Sequence, residues 1–513
     1  MANNSLSINT ALSEGIDVHL ITAEMVILPN NELTASFIGL NSHIGSNFKK
    51  KMASILARHN IVASQGKYIF NLLPVDMIKN ESHFDLPLAI LFLMGNYLID
   101  KAVSEFISEA VIVGELSLTG ELFPVNNALS IALNLSKMNK KRLIIPVGNQ
   151  YECSLVPDLE IYTISNIMDV FDIANFKRVV HKERINNHQK YDLDLNQVYG
   201  QEQAKRALEI AAAGRHNLLF YGPPGSGKTM LAKRINTIMP DLTLEEIIET
   251  TRIYSSGGKL EGNKPILHPP FRSPHHTTSH AGLVGGGQPP YPGEISLAHN
   301  GVLFMDEFLE FSKYCMEALR ECLEEKKIHL KKGKHNAIYP ASFMLIAALN
   351  PCPCGYFGDK KNKCVCSLAK IKYYMSKLSG PLLDRIDMQV CLSAVDYKDI
   401  DNRHNIASSK DVALKVKGAI ARQFNRNSEG KYNGHISGEF MDKHADLSPE
   451  AKDYIKEAFD MFDLSMRGYH KVLKVSRTIA DLEDSYYIKL EHLKEAFSYR
   501  SFDKLVRKFD VIE

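Results

Sequence analysis

Hydrophobic and polar positions divide the chain into stretches of different period. Up to about Ala174, the apolar runs KYIFNLLP, EAVIVGELSL and KRLIIPV alternate with helical spacing such as LSIALNLSKMNKK. This pattern predicts a compact α/β or α+β unit. From Asp192 to about Val395, the runs HNLLFY, GVLFMDE, ASFMLIAALN and MQVCLSAV are apolar almost throughout. Strands of a parallel sheet, covered on both faces, read this way. Farther on, SPEAKDYIKEAFDMF and YHKVLKVSRTIADLE place apolar residues three and four apart, which predicts helices. The expected layout is a first domain over 1–175, a basic linker over 176–195, an α/β core over 196–395 and a helical domain over 396–513.

Composition narrows the picture. A length of 513 residues suggests three or four domains, and 45% hydrophobic with 23% charged residues argues against global disorder. With 61 basic and 59 acidic residues the net charge is +2, so any polyanion must be met by local clusters or a channel rather than by bulk charge. The longest uncharged apolar stretch, Leu86 to Ile99, falls short of the roughly 18–20 residues a membrane helix needs. The start MANNSLSINT lacks the pattern of a signal peptide, so a cytoplasmic protein with no membrane partner is expected.

The most specific motif is GPPGSGKT: Gly222, Pro223, Pro224, Gly225, Ser226, Gly227, Lys228 and Thr229. It follows an apolar strand and opens a helical stretch, as a phosphate-binding loop does. Glycines let backbone N–H groups turn toward phosphate oxygens, Lys228 reaches the outer phosphates, and the Thr229 hydroxyl suits Mg²⁺. ATP and Mg²⁺ are the expected ligands. The run GVLFMDE ends in Asp306 and Glu307 at the edge where open α/β sheets bind ligands. Asp306 suits Mg²⁺, and Glu307 the polarisation of an attacking water.

Four of the eight cysteines, Cys352, Cys354, Cys364 and Cys366, fall in one fifteen-residue window. Two close pairs suit tetrahedral Zn²⁺, although C-x-C is tighter than common zinc spacings; buried free thiols or a redox pair are the alternatives. A metal-pinned loop there would present Lys360, Lys361 and Lys363 to phosphates. The segment IHLKKGKHNAIYP reads as a hairpin with Lys331, Lys332 and Lys334 around Gly333. Between Pro269 and Glu294 lies a Gly/Pro/His-rich insertion carrying Arg272, His275 and His276. Both segments are candidates for DNA contact, against the plain reading of a solvated edge.

Together these motifs, with VYGQEQAKRALEIAAAGRHNLLFYGPPGSGKT, FRSPHHTTSHAGLVGGG, AALNPCPCGY, SGPLLDRID and LSMRGYHKVLKVSRTIADLE, resemble the ComM family of magnesium-chelatase-like AAA+ ATPases. The resemblance implies an AAA+ P-loop core with a parallel sheet and a helical lid. It also implies Asn350 as a sensor of the γ-phosphate, Arg385 as an arginine finger acting on a neighbouring subunit, Arg467 as a lid arginine that binds nucleotide, and a homo-hexameric ring. A hairpin at the place of IHLKKGKHNAIYP holds DNA in the related MCM branch. The implied function is an ATP-driven DNA helicase promoting branch migration in homologous recombination and natural transformation, acting on single-stranded, duplex or branched DNA with other recombination proteins. The first domain resembles the Lon-protease-like (S5-type) α/β domain, with KNESHFDLPLAILFL and GELSLTGELFPVNNALSIALNLSKMNKKRLIIP as the matching pieces. His83 and Leu129 stand where a catalytic serine and lysine belong, with Ser82 and Ser130 beside them, so proteolysis is not expected. The rival expectations are a magnesium-chelatase motor and a protein-remodelling ATPase.

Overall fold

A computed structural model of the chain describes residues 5–77, 79–182, 191–333, 335–359, 361–394, 407–427, 430–461, 464–500 and 502. Two large sheets organise it. The first has eight strands, in the spatial order Lys177–Arg178, Glu160–Ile164, Arg142–Pro146, Ala110–Ile112, Leu6–Glu14, Asp17–Leu28, Lys67–Leu73 and Thr34–Ile38. Leu6–Glu14 and Asp17–Leu28 form an antiparallel hairpin turned at Gly15, at φ +64°. These two longest strands are not among the predicted elements, because polar residues interrupt their alternation. The strand Lys177–Arg178 lies within the segment expected as linker, and residues 183–190 of that segment lie outside the described ones.

The second sheet is wholly parallel, in the order Phe271–Arg272, Val302–Met305, Met344–Leu349, Leu218–Tyr221, Met388–Cys391. Four of its strands are the predicted apolar runs; the fifth, Phe271–Arg272, is a two-residue strand inside the insertion. Alternation sorts their side chains to two faces. Leu218, Phe220, Phe304, Ile346 and Val390 join one core with the Glu202–Gly214 helix and the C-terminal helices. Leu219, Leu303, Met305, Leu345 and Leu349 join another with the Lys313–Glu325 helix. Covering both faces explains why these strands are apolar throughout. On the C-terminal side, helices Ser409–Arg426, Pro449–Met461, Met466–Leu482 and Leu490–Ser498 follow the predicted spacing.

The two sheets are joined by the helix Leu244–Ser256, which begins with a reciprocal cap between Thr243 and Glu246. Ile247 and Ile248 pack on the apolar cluster that holds Ala128, Leu129 and Ala132. At its far end the Ser255 hydroxyl accepts from the Asn127 N–H at 3.0 Å and donates to Glu152 at 2.7 Å. Burial pushes the Glu152 carboxyl up to about 7, against the hydrogen bonds it receives from Asn149, Ser255 and the Leu129 N–H. The hairpin Lys327–Lys332/His335–Pro340 also touches the first sheet, with His335 Nδ1 3.0 Å from Glu14. Among the described residues no helix is long and apolar enough to cross a membrane.

Candidate active site

Register brings the chemistry to one edge. Tyr221 lies opposite Leu349 and Met305 opposite Ala347, so three parallel strands end side by side and release Gly222, Asn350 and Asp306 at the same rim. From Gly222 the chain turns through Gly225 (φ +75°) and Gly227 (φ +91°) into the helix Lys228–Ala232. A Cβ at either glycine would point into open space, so the demand there is for the left-handed backbone alone. At Gly222 the demand is room: a Cβ would stand 2.2 Å from the Leu392 carbonyl. The Gln201 amide also steadies the loop, donating to the carbonyls of Ser226 (3.3 Å) and Ser393 (2.6 Å).

The Lys228 ammonium donates to the carbonyls of Gly222 (2.8 Å) and Pro223 (2.9 Å) and to Asn350 Oδ1 (3.1 Å). Its pKa is lowered to about 8 by burial, which the nearby Asp306 and Cys391 partly oppose. Thr229 Oγ1 donates to Asp306 Oδ2 at 2.6 Å. This places a hydroxyl and a carboxylate, both hard oxygen donors, where Mg²⁺ is expected, so the residues present fit that ion. Glu307 takes a left-handed backbone (φ +50°) and its carboxylate lies 2.9 Å from His276 Nδ1.

The remaining expected residues fall into separate groups. Arg385 donates to Glu324 of the Lys313–Glu325 helix, and Arg467 approaches the same carboxylate at 3.5 Å. The flanking Asp384 and Asp387 are not its ion-pair partners: Asp387 instead accepts from the Asn217 N–H at 2.9 Å. Among the described residues neither guanidinium bonds to the phosphate loop. Arg272 forms a two-pronged pair with Glu294 (2.6 and 2.7 Å), which holds its pKa above the ordinary value. His275 bonds to Thr277 at 2.8 Å and its ring lies 4.2 Å from that of His276. Lys331 and Lys332 are exposed near the end of the hairpin, whereas Lys334 lies outside the described residues. Three partners were not found by sequence reasoning, namely Gln201, Glu294 and Glu324. Their contacts join distant residues, and no local pattern marks them.

The cysteines converge. Cys352 Sγ is 3.3 Å from Cys354 Sγ and 3.6 Å from Cys364 Sγ, Cys354 and Cys364 are 3.6 Å apart, and all four sulfurs lie within 4.8 Å of one another. Four sulfurs around tetrahedral Zn²⁺ at about 2.3 Å stand roughly 3.8 Å apart, so the donor set fits this ion. The backbone N–H groups of Tyr356 and Val365 hold the Cys354 thiol down at about 6, whereas burial pushes the Cys352 thiol up. The knuckle rests on the phosphate loop. Gly355 has φ +86°, and a Cβ there would meet the Pro224 ring at 2.6 and 2.7 Å.

A phosphate loop, an Asp–Glu pair at the end of the strand one place removed in the sheet, and a parallel sheet with a helical C-terminal region define a magnesium-chelatase-type AAA+ ATPase. Accordingly, the magnesium chelatase subunit ChlI family matches residues 194–400, its C-terminal family residues 406–500, and a second ChlI family residues 27–149. The chain belongs to the ComM family: it is 36% identical to competence protein ComM of Haemophilus influenzae over 97% of both chains. It is also 28% identical to Lon protease 2 of Bacillus subtilis over 184 residues, which are 30% of this chain and 32% of that one. A more distant likeness, 23% identity over 58% of this chain and 36% of the other, links it to DNA replication licensing factor Mcm6 of Drosophila melanogaster.

Proposed function

We propose that the protein is a hexameric, ATP-driven DNA motor that promotes branch migration during recombination, including the integration of DNA taken up in natural transformation. The observation that carries this reading is the contact between His276 and Glu307. His276 belongs to the insertion, so whatever the insertion grips acts on the position of the group that polarises water. Lys228 and the loop amides bind the phosphates, Thr229 and Asp306 hold Mg²⁺, and Asn350 orients the γ-phosphate. Bound Mg²⁺ supplies charge neutralisation at the phosphates. Arg385 and Arg467, gathered on Glu324, complete the site of the next subunit, as head-to-tail packing into a ring requires. Lys331 and Lys332 contact the DNA backbone, and Zn²⁺ fixes the cysteine knuckle. The likeness to a competence protein and to a replication licensing factor supports a DNA client.

In the first domain, Ser82 donates to Glu115 at 2.6 Å, and Ser130 is buried and accepts from Arg252. His83 is held between Glu81 (2.8 Å) and the Ala11 carbonyl (2.8 Å), both acceptors, so its ring has no free lone pair to act as a base. The domain is therefore read as a scaffold without peptidase chemistry. The deciding experiment is steady-state ATP turnover with and without single-stranded, duplex and forked DNA, beside a Glu307→Gln control. Stimulation by DNA, absent in the control, supports the motor. Turnover indifferent to every DNA refutes it in favour of a protein client.

A further inference from the structure

From Lys361 to Lys377 the sequence KNKCVCSLAKIKYYMSK carries five lysines and no acidic residue, in a chain whose total charge is only +2. The structure gives this segment a definite form. Cys364 and Cys366 close the knuckle, the Ser367 hydroxyl caps the helix Leu368–Met375, and Lys370 and Tyr373, three residues apart, share its outer face. Ile371, Tyr374 and Met375 bury the opposite face in the core. What remains outside is unusual for a solvated surface. Tyr373 is 74% exposed and Val365 85% exposed, and Lys363 and Lys370 of the same segment are also exposed.

We infer that this face is a second binding site for single-stranded DNA, distinct from the hairpin and insertion. The inference rests on the DNA reading above and extends it. Exposed ammonium groups on the same segment as an exposed aromatic ring match the two recurrent chemical features of a single strand, a backbone charge and an open base to stack on. The segment itself holds no carboxylate, although Glu310 approaches Lys377 at 3.5 Å and Asp359 accepts from the Lys361 N–H from outside it; the exposed Lys363 and Lys370 suit a polyanion. The position gives the contact a consequence: Gly355, within the same knuckle, lies against Pro224 without room for a Cβ, so a strand bound here bears directly on the phosphate loop.

The test is fluorescence anisotropy of the full chain with labelled oligo(dT) over a range of salt, comparing wild type, Lys363→Gln/Lys370→Gln, and the same pair with Tyr373→Ala. Zinc content and assembly mass are measured on each. All three residues are exposed, so the fold is expected to survive. Losing two phosphate contacts should lower the slope of log affinity against log salt by about 1.4. Losing the ring as well should weaken binding by about tenfold or more. A Lys331→Ala/Lys332→Ala protein run in parallel should add its own loss independently. Wild type that binds DNA, beside variants with an unchanged slope, overturns the inference while leaving the motor reading intact. An unchanged slope with altered assembly mass also overturns it and assigns the face to subunit contact. Wild type that binds no DNA overturns both readings.

Discussion

Lys228 offers a quantitative test of the nucleotide site through pH. Its pKa of about 8 arises from burial, against the opposing influence of Asp306 and Cys391. Phosphate oxygens at the ammonium should return that value at least to the ordinary 10.4 or so. Only the protonated fraction is competent to bind, and apparent affinity scales with that fraction. Since the bound state holds the proton more tightly, affinity must fall as pH rises through the free-state value. Between about pH 7 and about pH 9 the protonated fraction drops from roughly nine-tenths to one-tenth. The dissociation constant should therefore rise about tenfold, equivalent to about 1.4 kcal/mol. The assay is titration of a fluorescent ATP analogue at saturating Mg²⁺, kept above about pH 7 so that the terminal phosphate stays ionised. Cys391, whose thiol burial also pushes up, is controlled by Cys391→Ser. A dissociation constant flat across the range would refute the argument, showing that the three acceptors around Lys228 outweigh its desolvation.

Glu307→Gln should leave nucleotide affinity within about twofold and lower turnover by about 10²–10⁴-fold, read by binding and steady-state assays on the same preparation. Arg385→Ala should cost about 10³-fold in turnover, and mixing it with Lys228→Ala subunits should restore part of the activity if the arginine serves a neighbour; mixtures no better than either parent would contradict that role. At the seam between the domains, Glu152 binds a proton between about pH 4.5 and 7 in the folded state but not in the unfolded one. Its contribution should thus weaken stability as pH rises through that window, by about 3 kcal/mol at most. Glu152→Gln should flatten the corresponding fall in melting temperature, measured by thermal denaturation from about pH 5 to about pH 8.

The core of the second sheet was legible because its strands are buried on both faces and end in residues whose chemistry needs a strand end. GPPGSGKT and Asp306 are legible as strand-end chemistry, whereas Asn350 comes only with the family resemblance. The cysteine window was equally readable, since four thiols in fifteen residues have few other reasons to gather. What escaped was set by tertiary contact. Leu6–Glu14 and Asp17–Leu28 carry polar residues such as Thr10 and Ser13 that are buried in the fold, which blurs their period. Phe271–Arg272 is too short to show a period at all. Arg272 is a sequence candidate for DNA contact, and in the fold its charge is met by Glu294, twenty-two residues away. His276 was given the same role, and the fold sets it against Glu307, a meeting that depends on how the insertion folds back.

The shared carboxylate of Glu324 has a consequence for how the enzyme is kept quiet. Two guanidinium groups lean on one exposed acid, and a single negative charge balances only one of them. Water and salt reach Glu324 and Arg467, so that pair is held weakly, whereas the Arg385 side chain is only 12% exposed. On the proposed reading, in which both arginines serve a neighbouring subunit, Glu324 is where a lone subunit would keep them. A neighbour's bound triphosphate carries more negative charge than Glu324 and would draw both away. If the proposed assembly holds, activity is a property of company: turnover per chain should climb with protein concentration, and dilution alone should switch it off.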